Sequence, residues 1–162
     1  MTRSRYRFGT SLCCFLFFVA AVSAQTLQVI HADGQTTTLS AVQIASAAHV
    51  TVSAHDHDGD AQFAGVPLST VLSLGGIQLG DALRGPRMAE VLMVEAADGY
   101  KVAFALTEVD PAFATREIIL ADKRDGKALD AKQGPLRIVA PGDKRPARWV
   151  RQVTTLRVIA VK

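Results

Sequence analysis

Three of the four Asp-Gly pairs in this 162-residue chain cut it into short segments that must fold back on one another. They fall at Asp33-Gly34, Asp98-Gly99 and Asp125-Gly126. Asp-Gly accepts the positive φ angles of a tight hairpin turn, so each pair implies neighbouring antiparallel strands. The flanking sequence agrees. Thr26–Ile30 and Thr36–Leu39 surround the first pair, and Glu90–Ala96 and Tyr100–Leu106 the second. Further strands are expected at His49–Ala54, Gln62–Ala64, Glu117–Ala121, Leu136–Ala140 and Thr155–Val161, with Leu156, Val158 and Ile159 buried in the last. His55 to Asp60 reads as a polar loop and Gly80 to Met88 as another. Helical signals are brief. Ser40 can cap a helix reaching Ala48, and Pro67 suits the first turn before Leu68, Val71, Leu72 and Leu74, until Gly75-Gly76 ends the run. Thr107–Ala114 reads as a turn or short helix, and Pro146–Val150 as one helical turn. The class is therefore α+β: mixed, mostly antiparallel β-sheets with a few short helices.

Residues 1–24 have another character. Arg3, Arg5 and Arg7 are followed by an apolar run from Ser11 to Val22, and then by the small residues Val22-Ser23-Ala24. That order is a cleavable secretory signal, with cleavage expected before Gln25 and a single mature domain over 25–162. The apolar run is shorter than the roughly 20 residues of a membrane-spanning helix, so no stable membrane anchor is expected. Cys13 and Cys14 open the run, whereas a lipid-bearing cysteine should close it. The arginines alternate with Ser4 and Tyr6 and never sit side by side, which points to the Sec route and a periplasmic location. Removing the signal changes the charge. Three of the 18 Lys and Arg lie in it against none of the 15 Asp and Glu, which leaves 15 of each. No global positive field remains to attract nucleic acid or an anionic membrane. Both cysteines leave as well, and with them any disulfide, thiolate nucleophile or thiolate metal ligand.

Four segments now stand in one order: Phe63-Ala64-Gly65-Val66-Pro67-Leu68, Asp98-Gly99-Tyr100, Gly134-Pro135-Leu136-Arg137-Ile138-Val139-Ala140-Pro141-Gly142, and Arg148-Trp149-Val150. Each is weak alone. Together the set resembles the molybdopterin-binding domain of the sulfite oxidase family, over about Leu39 to Val161. The resemblance implies that family's mixed α+β fold. It also implies that basic groups near Arg137, Lys144, Arg145 and Arg148, with Trp149 beside them, would hold an anionic pterin phosphate. In catalytic members a cysteine after the strand matching His49–Ala54 coordinates molybdenum. This chain has His55-Asp56-His57-Asp58 at that place. The enzymes of the family that are exported usually travel folded, with cofactor, on a twin-arginine signal.

Two constellations carry chemistry. His55 and His57, two apart among Asp56, Asp58 and Asp60, would share one side of an extended chain and suit zinc, copper or nickel; a solvated acidic turn is the competing account. An EF-hand count from Asp56 fails, since Gly59 falls fourth and Pro67 twelfth. Arg137, Lys144, Arg145, Arg148 and Arg151 offer donors for a phosphate or carboxylate, or form an exposed loop balanced by acids. Trp149 and Tyr100 are expected chiefly to pack. Ser40, Ser69 and Thr70 lack a base partner, which argues against a hydrolase triad. No glycine-rich phosphate loop is present. The expected function is a non-catalytic binding or accessory module for a small anionic ligand or a periplasmic protein partner. The rival is a molybdopterin-dependent oxidoreductase working without a cysteine ligand.

Overall fold

The computed structural model describes residues 26–161; the expected signal segment, with both cysteines, lies outside them. Two five-stranded sheets carry the domain. In the first, β1 (Thr26–Ile30) pairs antiparallel with β2 (Thr36–Ser40) across the Asp33-Gly34 turn, and Gly34 has φ +88°. Ser40 then begins α1 (Ala41–Ala45). Its side chain accepts the Gln43 N–H while Gln43 Oε1 accepts the Ser40 N–H, a reciprocal cap. The helix stops three residues earlier than expected. The Ser46 hydroxyl donates to the Gln43 carbonyl, giving the chain a local alternative to another helical turn.

The largest departure from the sequence reading follows. β3 (Val50–Asp56) and β4 (Gly59–Pro67) form one long hairpin where a polar loop and a three-residue strand were expected. The period of two is present in the sequence: Ala54 and Asp56 are buried, with Thr51, Ser53 and His55 exposed. A carboxylate at an inward position hides it, because sequence alone cannot show the cations that allow Asp56 to be buried. β4 also pairs with β7 (Ile119–Arg124), and the register shifts between Ala64 and Gly65. A Cβ on Gly65 would lie 2.2 Å from the Leu120 carbonyl oxygen, so only glycine permits this approach. β8 (Lys127–Ala128) and β9 (Arg137–Val139) complete the second sheet by pairing with β7.

After β4, α2 (Leu68–Leu74) buries Leu68, Val71 and Leu72. Gly75, at its end, sits so close to Val29 of β1 that a Cβ would come within 2.6 Å of that side chain. β5 (Val91–Ala96) and β6 (Lys101–Ala105) form the hairpin expected at Asp98-Gly99, and α3 (Leu106–Val109) follows it. β10 (Val153–Ile159) lies at the centre of the first sheet, parallel to β1 and antiparallel to β5. Leu156 and Val158 are buried as expected, but Ile159 is 37% exposed. Adjacent residues of a strand face opposite sides, so Val158 and Ile159 could not both enter one core.

Candidate functional site

Arg137 opens β9, and its side chain is only 5% exposed. A buried guanidinium needs partners. Nη1 donates to Asp56 Oδ2 at 3.2 Å and to Gln133 Oε1. The guanidinium carbon also lies 5.2 Å from the Phe63 ring centre and 5.5 Å from that of Trp149, within cation–π range. Those two rings meet edge to face at 5.9 Å. The sealed Nε has no hydrogen-bond acceptor, and the ring faces supply its compensation. Among the described residues Nη2 has no hydrogen-bond partner either. Burial pushes Arg137 below the ordinary arginine range, Asp56 opposes that shift, and Arg151 and Arg124 add to it by repulsion.

Asp56 also serves Arg124, which bonds it at 3.3 Å and Asp58 at 2.8 Å. The hydrogen bond from Arg124 holds the Asp58 carboxyl below the usual carboxylate range. Two cations and two carboxylates thus tie the β3–β4 turn to β7 and β9.

A cleft of about 700 Å³ opens on this network. Asp56, His57 and Asp58 from the β3–β4 turn line it, as do Asp98 and Tyr100 from the β5–β6 turn. The remaining wall is the segment carrying Lys132, Gln133, Arg137, Trp149, Arg151 and Gln152. The Tyr100 hydroxyl donates to the Ala147 carbonyl at 2.8 Å, joining two walls. Gln152 holds φ +51°, a strained value for a side-chain-bearing residue, and three hydrogen bonds pin it to Ala131, Gln133 and Ala97. Lys132 and Arg151 form no ion pair among the described residues; the carboxylates that share the cleft are Asp56 and Asp58, held by Arg124, and Asp98, which accepts the Tyr100 N–H.

The structure divides the residues singled out in sequence. Arg137 and Trp149 reach the cleft, and Trp149 donates from Nε1 to the Ala140 carbonyl at 3.1 Å. Arg148 does not reach it. That residue pairs with Asp143 at 2.6 Å and Glu108 at 3.0 Å, stacks 4.5 Å from the Phe104 ring centre, and has its pKa raised chiefly by the Asp143 hydrogen bond. Lys144 and Arg145 are exposed and off the cleft. The convergence of all these cations on one pocket edge, expected if the turn at Pro141-Gly142 returned the basic loop to the strand end, does not occur, because local acids hold Arg148 elsewhere. His55 and His57 do not share a side. His55 Nδ1 meets Asp60 at 2.8 Å on the exposed face of β3, whereas His57 sits in the two-residue turn and lines the cleft. Strand alternation ends at Asp56, so spacing by two no longer aligns the imidazoles. Among the described residues no group of three or more His, Cys, Asp or Glu is placed to hold a metal ion. Sequence reasoning missed Lys132, Gln133 and the pairing role of Asp56. The one signal for Asp56 was its inward parity with Ala54.

These features define a sulfite-oxidase-like domain. The family model for the oxidoreductase molybdopterin binding domain matches residues 21–162, and the chain belongs to that family. Among solved structures it is similar to the sulfane dehydrogenase SoxCD from Paracoccus pantotrophus, with a TM-score of 0.66 and 18% identity over 85% of this chain. The match covers 38% of that chain, so the present sequence spans well under half of it. No curated protein matches.

The donor set does not suit a molybdenum-bearing pterin held by a thiolate. Residues 25–162 contain no cysteine. At the end of β3, where such a thiolate would stand, the cleft offers the carboxylates of Asp56 and Asp58 instead.

Proposed function

We propose that this chain is an exported, non-catalytic member of its family whose cleft takes up a small anionic ligand, free or displayed by a partner protein. One observation carries the proposal: the nearly buried Arg137 keeps Nη2 unpartnered on a cleft that also holds the unpaired Arg151 and Lys132. Arg151 repels Arg137, and a bound anion would relieve that repulsion. A ligand that binds only the folded state stabilises it by about 2.7 kcal/mol at a hundredfold excess over its Kd. Acetate is therefore expected to raise the melting temperature more than chloride at equal ionic strength. The double substitution Lys132→Ala/Arg151→Ala should erase that difference, whereas Arg145→Ala, off the cleft, should keep it. Equal responses to acetate and chloride in the wild type would defeat the proposal. Elemental analysis of the same protein should find far less than one molybdenum per chain; a stoichiometric value would favour the oxidoreductase instead.

Export rests on residues 1–24 and has its own check. Protein recovered from the periplasm is expected to have the intact mass of residues 25–162. A mass that includes the apolar run would show that the segment is retained.

A further inference from the structure

The Asp56 carboxylate sits where an anion seeking Arg137 would have to come. Its side chain is 2% exposed, it lines the cleft, and its Oδ2 is 3.2 Å from Arg137 Nη1. The backbone holds it there. Asp56 is the last residue of β3, its Oδ1 accepts the Asp58 N–H at 2.9 Å, and Arg124 bonds the same oxygen from β7. It cannot swing away without losing three hydrogen bonds, so an incoming anion meets a fixed negative charge beside the cation it seeks.

We infer that Asp56 sets the selectivity of the cleft, admitting singly charged carboxylates and turning away doubly charged oxyanions. The inference deepens the anion-binding function proposed above and rests on it. Coulomb repulsion scales with the ligand's charge, so a fixed carboxylate opposes a dianion about twice as strongly, in free energy, as a monoanion at the same place. Low solvent exposure keeps that term from being screened away. The attraction from Arg137, Arg151 and Lys132 also doubles for a dianion. The cost of stripping water from the ion grows with the square of its charge, however, so by trimming the net pull on the ligand Asp56 leaves the monoanion ahead. A planar carboxylate can still take Arg137 Nη2 with one oxygen and a neighbouring cation with the other.

Acetate and sodium sulfate serve as probes, with binding read by chemical-shift titration. Melting temperature alone would mislead, since sulfate stabilises folded proteins by exclusion from their surfaces. Wild-type protein is expected to bind acetate more tightly than sulfate. In Asp56→Asn the order should reverse: a gain of about tenfold for acetate implies a gain of about a hundredfold for sulfate, because the logarithm of the gain follows the charge. Tighter sulfate binding in the wild type overturns the inference while leaving the anion site standing, and this arm does not depend on the variant folding. Equal gains for both anions in Asp56→Asn overturn it as well. If the wild type binds neither anion and the variant binds sulfate, the carboxylate barrier is upheld and the proposed function fails. If neither protein binds either anion, both ideas fall.

Discussion

Alanine at position 65 is expected to destabilise the domain by at least about 3 kcal/mol, the upper range for forcing extra atoms into a packed interior. The added Cβ would lie 2.2 Å from the Leu120 oxygen and 2.4 Å from the Ala121 Cα. Both are backbone atoms of β7, so no side chain can rotate to make room. Relief requires β4 and β7 to separate, which breaks the ladder at the point where its register already shifts. Domains of this size have total stabilities of about 5–15 kcal/mol, so much of the margin would go. The damage should reach the cleft, since Phe63, two residues back on β4, supports the Arg137 guanidinium. Urea unfolding followed by circular dichroism measures the effect. Gly99→Ala is the comparison: its φ of +87° strains an L residue, yet nothing lies within 4 Å of its Cβ, so the loss should stay near 1 kcal/mol. Equal midpoints for the two variants would mean that β4 and β7 do not approach so closely.

Much of this architecture was legible because its signals are local. Asp98-Gly99 marks a turn through backbone preference alone, and the hairpin of β5 and β6 followed. The same holds for Ser40, whose capping bond needs only a glutamine three residues on. The family resemblance rested on ordered short segments, and the family match over residues 21–162 bears it out. What failed was non-local. β3 ran two residues further than expected because Asp56 is buried against Arg124 and Arg137, 68 and 81 residues away in sequence. Those partners lie outside any window around Asp56, although Asp58-Gly59 beside it is a local turn signal. The basic cluster failed for the same reason in reverse. Arg148 resembles an anion ligand in sequence, but Glu108, 40 residues earlier, claims it together with Asp143. The parallel pairing of β1 with β10, which joins the two ends of the described chain, had no sequence signal.

Arg137→Met tests whether the cation at the cleft floor is held by its partner or merely stored beside it. Breaking a buried ion pair costs about 3–5 kcal/mol, because the remaining charge loses its compensation. The low end, about 3 kcal/mol, is expected here: Arg124 stays 3.3 Å from Asp56, and methionine can fill the gap between the Phe63 and Trp149 rings with favourable sulfur contacts. Asp56→Asn should lose a comparable amount, leaving Arg137 buried with Gln133 as its remaining side-chain acceptor. In the double variant neither charge is stranded by the loss of the other. Its destabilisation should therefore fall short of the sum of the singles by about 2 kcal/mol, the coupling expected of residues in direct contact. Urea denaturation of the four proteins closes the cycle. Strict additivity would mean that the 3.2 Å pair contributes nothing as a pair, and that Asp56 is not the fixed counter-charge on which the cleft's selectivity depends. A strong coupling together with an intact fold in Arg137→Met would separate the two roles of the arginine. The fold can do without its charge once the rings are filled, whereas an anion entering the cleft cannot.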